Sequence, residues 1–133
     1  MENSLATGGP PGTESRYYGT SPGRYQYLMR EGSVEAFCTE GVRISRKGMH
    51  EEALFWFEQA LRRSHDHVPA LLGKGFALGK LGRYDEEIQI CDHVLGLEPA
   101  STEAWLQKGF AYGKMGRFED KIACCEQALQ IDP

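Results

Sequence analysis

His65-Asp66-His67 carries the donor set for a metal ion or a general base, two imidazoles flanking a carboxylate in a chain of 133 residues. Such a site needs further ligands from other elements, and none stands at a metal-ligand spacing nearby. Four cysteines, Cys38, Cys91, Cys124 and Cys125, offer thiolate chemistry. No two of them have the C-x-x-C spacing, and adjacent cysteines seldom share a metal or bridge each other. Buried small hydrophobes in a reducing compartment are therefore expected, with Cys91 and Cys125 in the same inward slot of successive segments. The run GKGFALGKLG, from Gly73, superficially matches a phosphate-binding loop, but no strand precedes it. Catalysis would need an acid, base or nucleophile converging on a pocket. No such set is seen here, so no enzyme, cofactor or metal is expected.

The glycines of that false loop belong to a larger pattern. Gly41, Gly75 and Gly109 recur every 34 residues, and Gly48, Gly82 and Gly116 repeat the same interval. KGFALGKLGRYDE from Lys74 and KGFAYGKMGRFED from Lys108 align without a gap, and EGVRISRKGMHEE from Glu40 is a more diverged copy. A fixed period in this range marks a repeat protein whose units stack on their neighbours, and such folds bind other proteins far more often than they do chemistry.

Each copy predicts two helices and a tight turn. In the third, Trp105, Ala111, Tyr112 and Met115 fall on one helical face, and Gly116 ends the helix as glycine does past a C-terminus. A second helix is expected from about Phe118 to Ile131, with Glu119 and Asp120 favouring the dipole in its first turn. Pro133 stops it, as Pro99 stops the copy before. Ser33 and Ser101 are the expected N-caps of their first helices, and His67 is a poorer cap in the same slot.

The pattern resembles the tetratricopeptide repeat, with its W-x2-L-G-x2-Y, A-x3-F and P positions. Trp105, Gly109, Tyr112, Ala128 and Pro133 match in the third copy. Leu71, Gly75, Leu78, Tyr84 and Pro99 stand in the second, and Phe37, Gly41, Ile44, Ala53, Phe57 and Ala60 in the first. The resemblance implies an all-α, right-handed superhelical solenoid of three helix-turn-helix units at residues 34–67, 68–101 and 102–133.

Several slots depart from the family. The leucine before the glycine is Glu40, Lys74 and Lys108, the large aromatic is Phe57, then Cys91 and Cys125, and His65 replaces the first proline. The small residue between paired helices is Ala53, but then Glu87 and Lys121. Their stems are expected to snorkel past neighbouring glycines, the alternative being that the two pair across adjacent repeats.

Residues 1–23, with GGPPG and TSPG, have linker chemistry and are expected to form a disordered, flexible arm. Residues 24–33 are expected to form a short helix covering the first repeat, because terminal repeats need a covered face. The alternative is that the Tyr-rich arm lies back into the groove. A net charge of −4 and the lack of a basic run argue against a nucleic-acid partner. No apolar stretch reaches membrane-spanning length, and no secretory signal opens the chain. A cytoplasmic location is expected.

The resemblance further implies that the first helices line a concave groove, which here includes Thr39, Val42 and Arg46, then Leu72, Phe76 and Lys80, then Leu106, Gln107, Phe110 and Lys114. Val42, Phe76 and Phe110 form an apolar ladder, and Arg46, Lys80 and Lys114 a basic ladder one turn further on. The lysine-and-asparagine clamp of the chaperone-binding members is replaced by Cys38, Val42, Gly73 and Phe76, so a co-chaperone is not expected. A protein or peptide with apolar anchors and acidic flanks fits these ladders. In the competing reading the aromatics are packing within the solenoid and the lysines a solvated face. A second class of function is self-association, as a homo-oligomer or part of a longer array, through an uncovered face formed by Ile122, Cys125, Leu129 and Ile131.

Overall fold

A computed structural model describes residues 16–133. Among these residues the secondary structure is helical: α1 (Pro22–Glu31), α2 (Val34–Arg46), α3 (His50–Arg63), α4 (Val68–Lys80), α5 (Tyr84–Leu97), α6 (Thr102–Lys114) and α7 (Phe118–Ile131). The pairs α2–α3, α4–α5 and α6–α7 are the three copies, offset by 34 residues, and the chain is an all-α helical solenoid.

The turns follow from the glycines. Gly48, Gly82 and Gly116 take φ of +81°, +80° and +78°, a left-handed conformation that a side chain would strain. Ser33 and Ser101 accept hydrogen bonds from the amides of Ala36 and Ala104 and so cap α2 and α6. His67 makes no side-chain cap, and Pro69 opens α4 instead, where its missing N–H has no partner to lose.

The core thins along the solenoid. Phe37, Ile44, Trp56 and Phe57 fill the first repeat. Leu71, Leu78 and Val94 fill the middle, and only Cys124 and Ala128 of α7 are buried. Phe57 packs so tightly on Gly41 that a Cβ there would lie 2.8 Å from its ring. The inward slot held by Phe57 is held by a fully buried Cys91 in the second copy. Cys125 of the third is only half-buried while Cys124 beside it is buried, a departure from the expected inward pair.

Within residues 16–23, expected to belong to the arm, Tyr18, Gly19 and Thr20 pack on the first repeat and Pro22 already opens α1. Trp56 Nε1 donates to the Tyr18 carbonyl at 2.9 Å, and the Tyr18 and Phe55 rings stack 3.6 Å apart. Thr20 is buried and donates to Glu40 Oε2 at 2.5 Å. Arg24 of α1 and Arg43 of α2 hold the same carboxylate at 2.8 and 2.5 Å. Trp56 and Glu40 are polar groups in the interior that need partners, and this segment supplies them. Burial pushes the Glu40 pKa up, but hydrogen bonds from Arg43, Thr20 and Arg24 outweigh it and hold the carboxyl at about 2. The rest of the expected arm, residues 1–15, lies outside the described residues.

Candidate functional site

Helices α2, α4 and α6 lie side by side and form one wall of the solenoid. Residues spaced by 34 therefore point the same way from successive helices. Val42, Phe76 and Phe110 are 41%, 45% and 42% exposed, and Arg46, Lys80 and Lys114, four residues on, are exposed too. Phe37 and Phe57, by contrast, are buried in the core. An apolar ladder at this exposure is free to contact something else.

Two adjoining troughs run along this wall. The larger, about 700 Å³, lies between α2 and α4 and includes Val42, Arg46, His50, Leu72, Phe76 and Gln107. The smaller, about 300 Å³, lies between Phe76 and Phe110 and includes Lys80, Glu87, Glu103, Leu106 and Gln107. Gln107 is tied into the wall, its amide donating to the Leu72 carbonyl at 3.1 Å. Lys80 Nζ stands 5.4 Å from the centre of the Phe76 ring, and Lys114 Nζ 5.5 Å from that of Phe110. Each pair is a cation–π contact along one helix, repeated at the 34-residue interval.

The expected groove residues are mostly brought together. Thr39 and Lys114 are the exceptions. Thr39 is exposed on α2 away from both troughs, and Lys114 lies beyond the end of the smaller one. His50, Glu103 and Glu87 line the troughs without having been expected to. Glu103 sits one helical turn before Gln107, so the i, i+4 rule applied to α6 would have found it. His50 opens α3, its ring edge-on to Phe76 at 6.1 Å, and only the packing of α3 on α4 brings the two together.

Glu87 corrects the snorkelling expectation. It is 2% exposed, its Oε1 has no hydrogen-bond partner among the described residues, and burial pushes its pKa up to about 7. Gly79 makes the space, since a Cβ there would lie 2.5 Å from Glu87 Oε1. Lys121, in the same slot of the third copy, is exposed and runs its stem over Gly113, as snorkelling requires. No ion pair joins Glu87 to Lys121 among the described residues.

Asp66 takes His93 of α5 as its partner, at 3.0 Å, with His65 at 3.9 Å. The segment is thus a pinned turn, and no cluster of three metal-type ligands forms among the described residues. Burial pushes the Cys91 thiol up to about 12 and that of Cys38 up to about 11, which keeps both protonated. On α7, Ile122 and Leu129 are 57% and 59% exposed on one face, while Ile131, nine residues after Ile122, falls on the other side of the helix. No helix among the described residues is long and apolar enough to cross a membrane.

The tetratricopeptide repeat profile matches residues 68–101 and 102–133. No curated protein matches the chain in sequence. Among solved structures it is similar to MamA RS-1 in an ArsTM double mutant, at 24% identity and a TM-score of 0.73, covering 83% of this chain. This chain spans 64% of that protein's length. It is also similar to the first tetratricopeptide domain of human RPAP3, at 16% identity and a TM-score of 0.72, over 75% of this chain and 79% of that one. The second such domain of Spaghetti (RPAP3), solved with the HSP90 peptide SRMEEVD, is 15% identical with a TM-score of 0.71, over 80% and 99%. The matched repeats, the unbroken register that leads back from them to Val34, and the shared solenoid make this chain a member of the tetratricopeptide repeat family.

Proposed function

We propose that the wall of α2, α4 and α6 binds a segment of a partner protein, an extended peptide or an amphipathic helix, with apolar anchors and acidic flanks. Tetratricopeptide repeats are protein-interaction modules, and a neighbour of the same fold is known with a peptide bound. The observation that carries the reading is the exposed ladder Val42, Phe76 and Phe110 above open troughs, with Arg46, Lys80 and Lys114 beside it. The anchors would settle against the aromatics and the acidic flanks against the basic ladder. Burying two phenylalanines contributes roughly 3–6 kcal/mol before ordering costs. Micromolar affinity requires about 8 kcal/mol, so the basic ladder must contribute. The net charge of −4 favours a protein partner over a nucleic acid. The free cysteines suit a reducing cytoplasm.

The test is capture of partners from lysate by the wild type and by a variant carrying Phe76→Ala, Phe110→Ala, Lys80→Glu and Lys114→Glu, with helicity checked by circular dichroism. A partner held by the first and lost by the second supports the groove. Partners held equally by both overturn it.

A second reading is supported by the exposure of Ile122 and Leu129 on α7, which form an apolar face with Cys125 at its edge. There the chain would associate with another copy or with a further repeat. A relative of the same fold, the Yersinia enterocolitica chaperone SycD, is described as a dimer. Sedimentation across a concentration series tests this, and a strict monomer at high micromolar concentration excludes self-stacking.

A further inference from the structure

We propose that the smaller trough is a subsite for one cationic side chain of the bound partner, an arginine or a lysine, received between Phe76 and Phe110 by the Glu87 carboxyl. The inference rests on the groove reading and adds a chemical identity to one position of the ligand.

Glu87 stands in a slot that holds Ala53 in the first copy. Its side chain is accommodated only because the facing residue of α4 is Gly79. It lines the trough, yet Oε1 has no partner there. A buried acceptor left in this state is costly, and a ligand that supplies donors recovers the cost on binding.

The surroundings select the donor. The charged and titratable groups that face Glu87 are Lys80 from α4, Glu103 from α6 and Cys91 from its own helix. Cys91 is a neutral thiol, and Lys80 has its ammonium drawn over the Phe76 ring. The amide nitrogen of Gln107 is spent on the Leu72 carbonyl, while its Oε1 faces the Cys91 thiol at 3.9 Å. Two carboxyls and an amide oxygen against one diverted ammonium leave the trough short of donors. Aromatic walls suit the apolar stem and the charged plane of a guanidinium. The acidic flanks of the ligand remain on Arg46 and Lys114, the basic residues outside this trough.

A proton moves in the binding step. In the free protein Glu87 holds its proton over much of the range below neutrality. A bound cation favours the carboxylate, so the proton leaves to solvent as the guest seats. Affinity for a cationic guest therefore rises with pH through neutrality and levels off above it.

The probe is benzamidinium, an apolar ring bearing a cationic fork, titrated into the full chain and followed by NMR of labelled glutamate carboxyls and aromatic rings. Benzyl alcohol and benzoate serve as comparisons. The expected result is saturable benzamidinium binding that perturbs Glu87, Phe76 and Phe110 and tightens about tenfold from pH 6 to pH 8. Glu87→Gln, nearly isosteric, should lose both the tenfold gain and most of the binding, and benzoate should not bind. The pH dependence in wild type stands by itself if that variant misfolds. Binding that is independent of pH, or that survives Glu87→Gln, overturns the subsite and leaves the groove intact. Absence of binding also overturns the subsite, while partner capture by the Phe76, Phe110, Lys80 and Lys114 variant judges the groove separately.

Discussion

Lys108 Nζ lies 2.6 Å from Asp92 Oδ1, across the junction between the second and third repeats. Lys74 reaches Glu58 across the preceding junction at 3.6 Å, and Arg24 reaches Glu40 with the signs reversed at 2.8 Å. All three pairs span sixteen residues. The charges at the family's leucine slot are thus one rung per junction, which explains how three polar residues stand where the family packs an aliphatic side chain.

A part-buried pair of this kind adds little net stability, because desolvation offsets attraction. Lys108→Leu should therefore change stability by less than about 1 kcal/mol in either direction. Asp92→Lys, which opposes two ammoniums, should lower it by more. Urea unfolding of both variants checks the contrast.

Glu40 is held well below its ordinary pKa of 4.5, at about 2. A carboxyl depressed in the folded state stabilises fully above the unfolded value. That contribution is lost as pH falls through the folded value. The shift sets a ceiling of about 3 kcal/mol, lost between roughly pH 5 and pH 2. Urea midpoints measured down that range should fall for wild type and stay nearly flat for Glu40→Gln, which starts from a lower value.

Glu87 has the opposite sign. Its folded pKa, about 7, lies above the ordinary 4.5. Stability is fully present below the unfolded value and declines as pH rises from about 4.5 to about 7. Glu87→Gln removes that decline, and should be more stable than wild type at pH 8 by up to about 3 kcal/mol. Thermal melts of the two proteins at pH 5 and pH 8 decide it. A gap that does not widen with pH would contradict the assignment.

Gly79→Ala should cost about 1–3 kcal/mol, because its Cβ would lie 2.5 Å from Glu87 Oε1 and 2.7 Å from Cδ. Adding Glu87→Ala should recover most of that loss, giving a coupling energy above 0.5 kcal/mol in a double-mutant cycle. Gly113→Ala meets the flexible Lys121 stem at 2.9 Å and should cost less.

The sequence makes the repeat architecture legible because its signals are local and occur three times. The turn glycines, the serine caps and the 34-residue register each depend on a few neighbouring residues, and the helix expected from Phe118 to Ile131 is α7. The groove ladder follows from the same register. What escapes is long-range. Residues 16–20 read as linker, yet their backbone and hydroxyl satisfy Trp56 and Glu40, which lie 38 and 20 residues further along. Burial of Glu87 depends on Gly79 across a helix pair, and the place of His50 beside Phe76 depends on packing between repeats. A periodic pattern shows which residues are equivalent. It does not show which equivalent position has been hollowed out to take a charge.

The thinning of the core from Trp56 to Ala128 gives the solenoid a direction of unzipping. In a stack held by nearest neighbours, the end with the least buried apolar surface opens first and most often. Amide exchange should accordingly be fastest in α7 and slowest in α2 and α3. Phe110 belongs to the labile end and Val42 to the firm one. A ligand that spans the ladder would clasp a rigid half and fasten a fraying half, so engagement and local ordering become a single cooperative event.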